Sequence, residues 1–538
     1  ENLRLITKPQ AEEPKWVIKS IQTLPGLDEI TSTILINRGI TEDIEDFIKC
    51  PLEKIVPKKV GDLALASRII QKAIKKEIPI TIYGDYDADG ITGTALMVKA
   101  LRRIGAKVDY YINTRQSGYS VSEAGMREIA SRGIPRLVIT VDNGVAAHEA
   151  IEFARKANMG VIVTDHHEMT EKPNAHALIH AKDFDESLAG VGVAFKLIHF
   201  LYDQLNRDDA FDFLDLVAIG TIADLVPLLG ENRILTKHGL KKLNNNPEIP
   251  ITVFKEVLNL KKIRAETIAF NIAPVINAAS RVNGTAEQVV ELFLETNLDT
   301  AKKIVENLVS INENRKKIVE EELIKAEKLL TVYDKVIVLK ADFHAGVMGI
   351  VAGRLKEKYN RPVIVLAEDG DLLRGSCRSI DDFDIKEVLD RCDGLEYYGG
   401  HPKAAGLTLK KANFGIFYKS LMAQAEKLEI KPSVIEVDAK LDDINILTIE
   451  AIEDLEPYGM GFPSPVFVYE CDATKTMSIK DKHLKIFGDI NCIVWNSYEK
   501  FIQNKPQRLF LLGAPAINDY DSSLQFVARD FKEGFHEL

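Results

Sequence analysis

The stretch that most limits what this chain can fold into is residues 81–93, TIYGDYDADGITG. β-favouring residues run into Gly84, three aspartates follow at a spacing of two (Asp85, Asp87, Asp89), and an apolar run over residues 95–100 reads as a helix. Strand, acidic turn and helix are how a parallel α/β sheet presents polar groups beyond the carboxyl ends of its strands. Three carboxylates crowded into one turn repel one another, so in ionised form they need a cation. A calcium-binding EF-hand loop also begins D-x-D-x-D-G. It requires a bidentate Glu at its twelfth position, where this chain has Leu96, and a helix before it, where this chain reads as a strand.

The pattern continues downstream. A helix over residues 62–75 precedes the acidic turn. It is followed by a strand at 107–112, a helix at 123–132, a strand at 136–141, a helix at 145–157 and a strand at 160–164. Continuous apolar strands separated by helices specify a parallel sheet buried on both faces. Two of those strands run into further ligand-capable residues, Asp142-Asn143-Gly144 and Asp165-His166-His167. A lone Asp after a strand is usually a helix cap, and a lone His is usually a satisfied structural residue. Three strand ends of one sheet carrying such residues together make a metal centre the better reading, because that edge is where this fold places its site. Asp224, an acid inside the apolar run LVAIGTIADLVPL, is a fourth candidate, since burial without a partner would be costly. Carboxylates with an imidazole or two suit Mn²⁺ or Mg²⁺, and the imidazole favours manganese.

With 538 residues, 46% of them apolar and 28% charged, the chain has material for three or four domains. Its net charge of −11 argues against a protein that coats nucleic acid indiscriminately, while leaving room for a local basic groove. Five scattered cysteines with no C-x-x-C pair fit free thiols in a reducing cytoplasm rather than a disulfide frame or zinc site. No apolar run approaches a membrane span.

The motifs DYDADG, VDNG, DHH and GTIADLVPL, in that order, resemble the DHH phosphoesterase superfamily. LAGVGVAFKL (188–197), GENRIL (230–235), INAASR (276–281), HAGVMGIVAGRL (344–355), GSCRS (375–379) and GGHPKAAG (399–406) are similar to its RecJ branch of single-strand-specific exonucleases. The resemblance implies an α/β architecture: an N-terminal extension (1–60), a parallel-sheet DHH domain (61–299), a connecting helix (300–332), an α/β DHHA1 domain (333–431) and an OB-like β-barrel (432–538). The long helix also shows directly, as an apolar stripe from Ile304 to Leu323 among charges. For the barrel, short strands are expected at 434–437, 466–469, 483–487, 492–495, 509–512 and 524–528. In the N-terminal stretch, IKSIQTL and ILINRGI carry helical apolar spacing.

By motif position the resemblance implies two divalent ions held by Asp85, Asp87, Asp89, Asp142, His166 and Asp224, with Asp142 the bridge. Asp142, His167 and Asp87 are the implied catalytic residues. His167 would orient a scissile phosphate oxygen or support a ligand from behind. Arg115, Tyr119, Arg281, Ser376, Arg378 and His401 are the implied substrate residues, arginines being suited to a terminal phosphate. The implied activity is 5′→3′ hydrolysis of single-stranded DNA in repair and recombination, with RNA left open. A helicase or single-strand-binding protein is the implied partner, and the enzyme is expected to be a cytoplasmic monomer. The rival reading is a phosphodiesterase of short oligonucleotides or cyclic dinucleotides. Such enzymes lack the C-terminal barrel. Tyr83, Ser120, Val275, Ser280 and Cys377 depart from the family pattern.

Overall fold

The chain enters through a short strand, β1 (Lys15–Ile18), and two helices, α1 (Glu29–Asn37) and α2 (Ile44–Lys49). The helical spacing of residues 18–24 is not realised. That stretch leaves the strand as irregular chain, with the Leu24 N–H donating to Ser32 Oγ at 3.0 Å. After α3 (Leu63–Lys75) come β2 (Ile80–Gly84), α4 (Ala88–Arg103), β3 (Val108–Ile112), α5 (Glu123–Ser131), β4 (Arg136–Val141), α6 (His148–Lys156), β5 (Met159–Asp165) and β6 (Ala177–His180). The computed structural model describes residues 13–114, 121–283, 286–330, 335–518 and 521–534, in two compact units.

The five strands β2–β6 form one parallel sheet in the order β3-β2-β4-β5-β6. From β2 the chain steps outward to β3, then crosses back to β4 on the other side of β2. That reversal opens a crevice beyond the carboxyl ends of β2 and β4, which is where ligands bind in open α/β sheets. One face carries α5 and α6, whose Met126, Ile129, Ala150 and Ile151 join Val138, Val161 and Val163 in one apolar cluster. The other helices of this unit are α7 (Gly190–Gln204), α8 (Leu214–Ala223) and α9 (Gly230–Asn245). α8 reads LDLVAIGTIA and is buried from Leu214 to Ile222, as a helix apolar on every side must be. α4 begins at Ala88 rather than near Ala95, because Asp87 caps it. The expected acidic turn is therefore the first turn of that helix, where glycines at 90 and 93 mask the pattern.

The second unit holds residues 274–434 and is built around one long helix and one sheet. Leu298–Leu329 is a single helix of 32 residues. β7 (Ile337–Ala341), β8 (Val363–Asp369), β9 (Leu372–Arg378), β10 (Leu395–His401) and β11 (Ala404–Lys410) lie in the order β10-β11-β9-β8-β7. Val363 and Val365 pack with helix Met348–Tyr359 on one face, while Ile364, Leu373, Cys377 and Leu407 pack on the other.

Residues 435–538 belong to the same unit as the parallel sheet. The strand expected to start the barrel, β12 (Val434–Val437), instead pairs with β1 in a separate two-stranded ribbon. β13 (Ala439–Leu441), β14 (Phe467–Asp472), β15 (Thr476–Ile479), β16 (His483–Ile486), β17 (Asn491–Val494), β18 (Arg508–Ile517) and β19 (Leu524–Lys532) form one sheet in the order β13-β14-β18-β19-β17-β16-β15. The expected closed barrel is thus an open, mixed seven-stranded sheet. Its inner face buries Leu484, Cys492, Leu511 and Phe526 against Ile34 and Leu35 of α1. On the outer face, Val468 and Leu512 are covered by Trp16 and Val437 of the ribbon. The outer face of β15–β17 is partly exposed among the described residues: Met477 shares one cross-strand row with half-buried Lys485 and Ile493, and Trp495 is 45% exposed beside His483.

Arg233 of α9 ties this unit together. Its guanidinium is buried and donates to the carbonyls of Phe47, Pro457 and Leu455 at 2.9, 2.9 and 2.7 Å. It stacks 3.9 Å from the ring centre of Phe47 and 4.8 Å from that of Phe462. A buried cation without a carboxylate is tolerable here because carbonyl dipoles and ring faces replace its hydration.

Candidate metal centre

The six residues expected to bind metal all sit where an element of the parallel-sheet unit begins or ends. Asp85 follows β2. Asp87 caps α4, its Oδ1 accepting the Gly90 N–H at 3.0 Å. Asp89 lies in the first turn of α4 and is gripped by the start of α7, where Gly190 and Val191 N–H groups donate to its two oxygens at 2.6 and 2.8 Å. Position 190 must be glycine for α7 to come this near: a Cβ there would lie 2.4 Å from Cβ of Asp142. Asp142 opens the turn after β4 with φ of 62°, a left-handed conformation that Asp accepts more readily than most residues. His166 and His167 follow β5, and Asp224 ends α8.

Their donor atoms gather into three groups, each with its atoms within 4.8 Å of one another: Asp85, Asp87 and Asp142; Asp89, His166 and Asp224; and Asp142, His166 and His167. Asp142 and His166 each belong to two groups. His166 Nε2 lies 3.0 Å from Asp142 Oδ1, 3.7 Å from Asp224 Oδ2 and 3.9 Å from Asp89 Oδ2. Both His166 Nε2 and Asp142 Oδ1 are buried, yet neither makes a hydrogen bond. A carboxylate oxygen and an imidazole nitrogen buried 3.0 Å apart, neither with a hydrogen-bond partner, are what a common cation satisfies.

The electrostatics agree. Burial, then the charges of Asp224 and Asp87, push the Asp89 carboxyl up to about 8. Burial and Asp87 raise Asp224 to about 7. Burial and the surrounding aspartates hold Asp142 well above the usual range. Burial also pulls His166 below its ordinary value, keeping it neutral and fit to coordinate. Such a set is stable near neutral pH as a cation site or as a cluster of trapped protons. Hard oxygen donors with one or two imidazoles fit Mn²⁺ or Mg²⁺.

His167 has a different setting. It is 49% exposed, and its Nδ1 donates to Asp165 Oδ1 at 2.8 Å. Burial alone would raise the Asp165 carboxyl. The His167 ring and the N–H groups of Val145 and His167 outweigh it, so Asp165 stays anionic. In turn, burial would lower His167, but the Asp165 hydrogen bond and charge push it up to about 9. Asp165 thus orients His167, a role that its place in the sequence motif does not distinguish from ligation.

Of the substrate residues, Arg115 and Tyr119 lie outside the described residues. The other four lie in the unit of residues 274–434. In the ladder of β10, β11 and β9, His401 pairs with Ala404 and Ala404 with Arg378, so His401 and Arg378 stand in one row on one face. Ser376 stands on the same face two residues earlier, and its Oγ accepts from Arg378 Nη1 at 3.3 Å. The first turn of helix Met348–Tyr359 closes on this pair at Gly349, where a Cβ would lie 2.7 Å from Arg378 Nη2. A guanidinium, a hydroxyl and a helix N-terminus meet there, as an anion site requires. Gly349 carries no sequence signal for this beyond its motif. Arg281 supports the neighbouring loop, donating to the Gly346 carbonyl at 3.2 Å. The unusual Cys377 points away from this face into the apolar core, and Val275 is buried.

Models of three families match the chain in order: the DHH family N-terminal domain over residues 79–221, the DHHA1 domain over 333–427 and the RecJ OB domain over 435–530. The single-stranded-DNA-specific exonuclease RecJ of Escherichia coli is 34% identical, with 89% of this chain and 90% of that protein aligned. The protein of the same description from Bacillus subtilis is 33% identical over 96% of this chain and 69% of its own length. The crystal structure of RecJ in complex with Mn²⁺ from Thermus thermophilus superposes with a TM-score of 0.85 at 28% identity, over 97% of this chain and 80% of that one. With the carboxylate–imidazole centre and these matches along nearly its whole length, the chain belongs to the RecJ family of single-stranded-DNA-specific exonucleases.

Proposed function

We propose that this protein is a metal-dependent exonuclease that hydrolyses single-stranded DNA from the 5′ end, with Asp85, Asp87, Asp89, Asp142, His166 and Asp224 holding two Mn²⁺ or Mg²⁺ ions. The observation that carries this reading is the overlap of the donor groups at Asp142 and His166. Bound there, the two ions supply Lewis acidity to the phosphodiester and to an attacking water. The chain does the rest. Asp142 and His166 keep the two ion positions adjacent, α7 fixes Asp89, and Asp165 aims the His167 ring so that Nε2 is the atom left for a phosphate oxygen. Rate measurements on 5′- and 3′-labelled single strands, with Mn²⁺ and with chelator, test it. Cleavage that survives excess chelator refutes the metal reading, and release from the 3′ end refutes the polarity.

The anion site at Ser376 and Arg378 suits a terminal 5′-phosphate. Arg378→Ala should weaken binding by about 1.5–3 kcal/mol, the worth of a hydrogen bond to a charged group. The loss should be larger on 5′-phosphorylated than on 5′-hydroxyl strands in a direct titration. Equal losses would make Arg378 a general backbone contact.

The partly exposed outer face of β15–β17 suits bases and phosphates farther along the strand. Trp495 and Phe487 are exposed, and Lys485 lies 5.0 Å from the Phe487 ring. Trp495→Ala should cost about 1–3 kcal/mol, the scale of one base–aromatic stack. The cost should fall on long strands and spare substrates of a few nucleotides. An equal effect on both lengths would favour a short-oligonucleotide enzyme. An enzyme confined to single strands needs another protein to open duplexes, which fits a helicase or a single-strand-binding protein. Among the described residues no helix is long and apolar enough to cross a membrane, and the free cysteines fit a reducing cytoplasm.

A further inference from the structure

His180 ends β6, in register with Asp165 at the end of β5, and is 3% exposed. The Lys182 N–H donates to its Nδ1 at 3.1 Å. A neutral ring that accepts at Nδ1 carries its hydrogen on Nε2. That Nε2 lies 2.8 Å from the carbonyl oxygen of His167, so the ring donates to it. The His180 backbone N–H is itself tied to Asp183 Oδ2 at 2.9 Å, which fixes the ring's base. At Asp165 the chain turns out of the sheet, beyond the reach of ladder hydrogen bonds. The carbonyl of His167 is then held by this side chain, while the His167 ring is held by Asp165.

We propose that His180 is a positioning residue for the reaction: it anchors the backbone of His167 so that the ring, already fixed at Nδ1, keeps its other nitrogen at one place relative to the metal centre. The inference rests on the functional reading above, in which His167 meets the phosphate.

The two nitrogens of His180 can be tested apart, because glutamine places a donor near Nε2 and asparagine places an acceptor near Nδ1. In steady-state cleavage of a short 5′-phosphorylated single strand with Mn²⁺, His180→Ala should lower kcat about 10- to 100-fold with KM held within about twofold, as for other groups that orient a ligand from behind. His180→Gln should restore most of kcat, and His180→Asn, which keeps only the Lys182 contact, should resemble the alanine variant. A ring that merely caps the turn after β6 predicts the reverse order. Asparagine equal to or better than glutamine, or an alanine variant at the wild-type rate, overturns the proposal. A wild-type protein that does not cleave the strand overturns the functional reading instead, so the two failures are distinguishable.

Discussion

Asp142→Asn should lower the rate of single-strand cleavage by about 10³-fold or more, roughly 4 kcal/mol of transition-state stabilisation. The same change should raise the melting temperature of the metal-free protein. Both effects follow from one position. Asp142 belongs to two of the three donor groups, so its loss weakens both ion positions together. In metal-free protein it is also a buried carboxyl among four others, and its removal relieves desolvation and repulsion. Rate and melting curves measured with and without Mn²⁺ read the two consequences separately. A variant that remains active, or whose metal-free form is less stable than wild type, would sink the shared-ligand account.

The second large effect is a link between pH and stability that weakens when metal is added. The folded metal-free protein holds protons on Asp89 up to about pH 8 and on Asp224 up to about pH 7, and Asp142 is raised too, whereas unfolded aspartate releases its proton near pH 4. A folded state that binds more protons loses stability as pH rises. His167, raised to about 9, acts in the same direction above its unfolded value near 6.5, because its charged form is favoured only in the folded protein. His166, lowered by burial, works the opposite way but only below about 6.5, where the unfolded ring is charged. Between about pH 6.5 and 8, then, the metal-free protein should lose stability steadily. Mn²⁺ displaces those protons, so the rise in melting temperature on adding Mn²⁺ should be larger at pH 8 than at pH 6.5. An increment that does not change with pH would mean that the ions bind elsewhere.

The centre was legible because its ligands follow strands. Periodicity located β2, β4 and β5, and the acids and histidines after them could then be assigned to one edge of one sheet. Asp224 was legible for another reason, as a charge in an apolar run with no evident partner. What orients the candidate site residues was not legible. The grip of α7 on Asp89 joins residues about a hundred apart in the chain, and that of His180 on His167 spans 13 residues, both through register and helix placement that no local spacing encodes. Helix α4 was placed late because two glycines dilute its pattern while its cap, Asp87, read only as a ligand. The C-terminal sheet was misjudged at its edges. β13 and β15 are three and four residues long, too short to announce themselves by alternation, and β12 has the alternation but pairs with β1 instead.

The setting of Arg233 bears on how the molecule is made. Its carbonyl partners lie 186 residues before it and 222 and 224 residues after it, so the guanidinium is enclosed only when the segment around Leu455–Pro457 has been synthesised. At typical translation rates of about 5–20 residues per second, the parallel sheet waits at least about ten seconds with this cation and Phe47 open to solvent, before Phe462 exists. Over that interval the nascent protein has its candidate metal-binding residues but not the closure that ties them to the rest of the unit. A ribosome stalled before residue 455 would therefore leave the Arg233 guanidinium with one of its three carbonyl partners, that of Phe47.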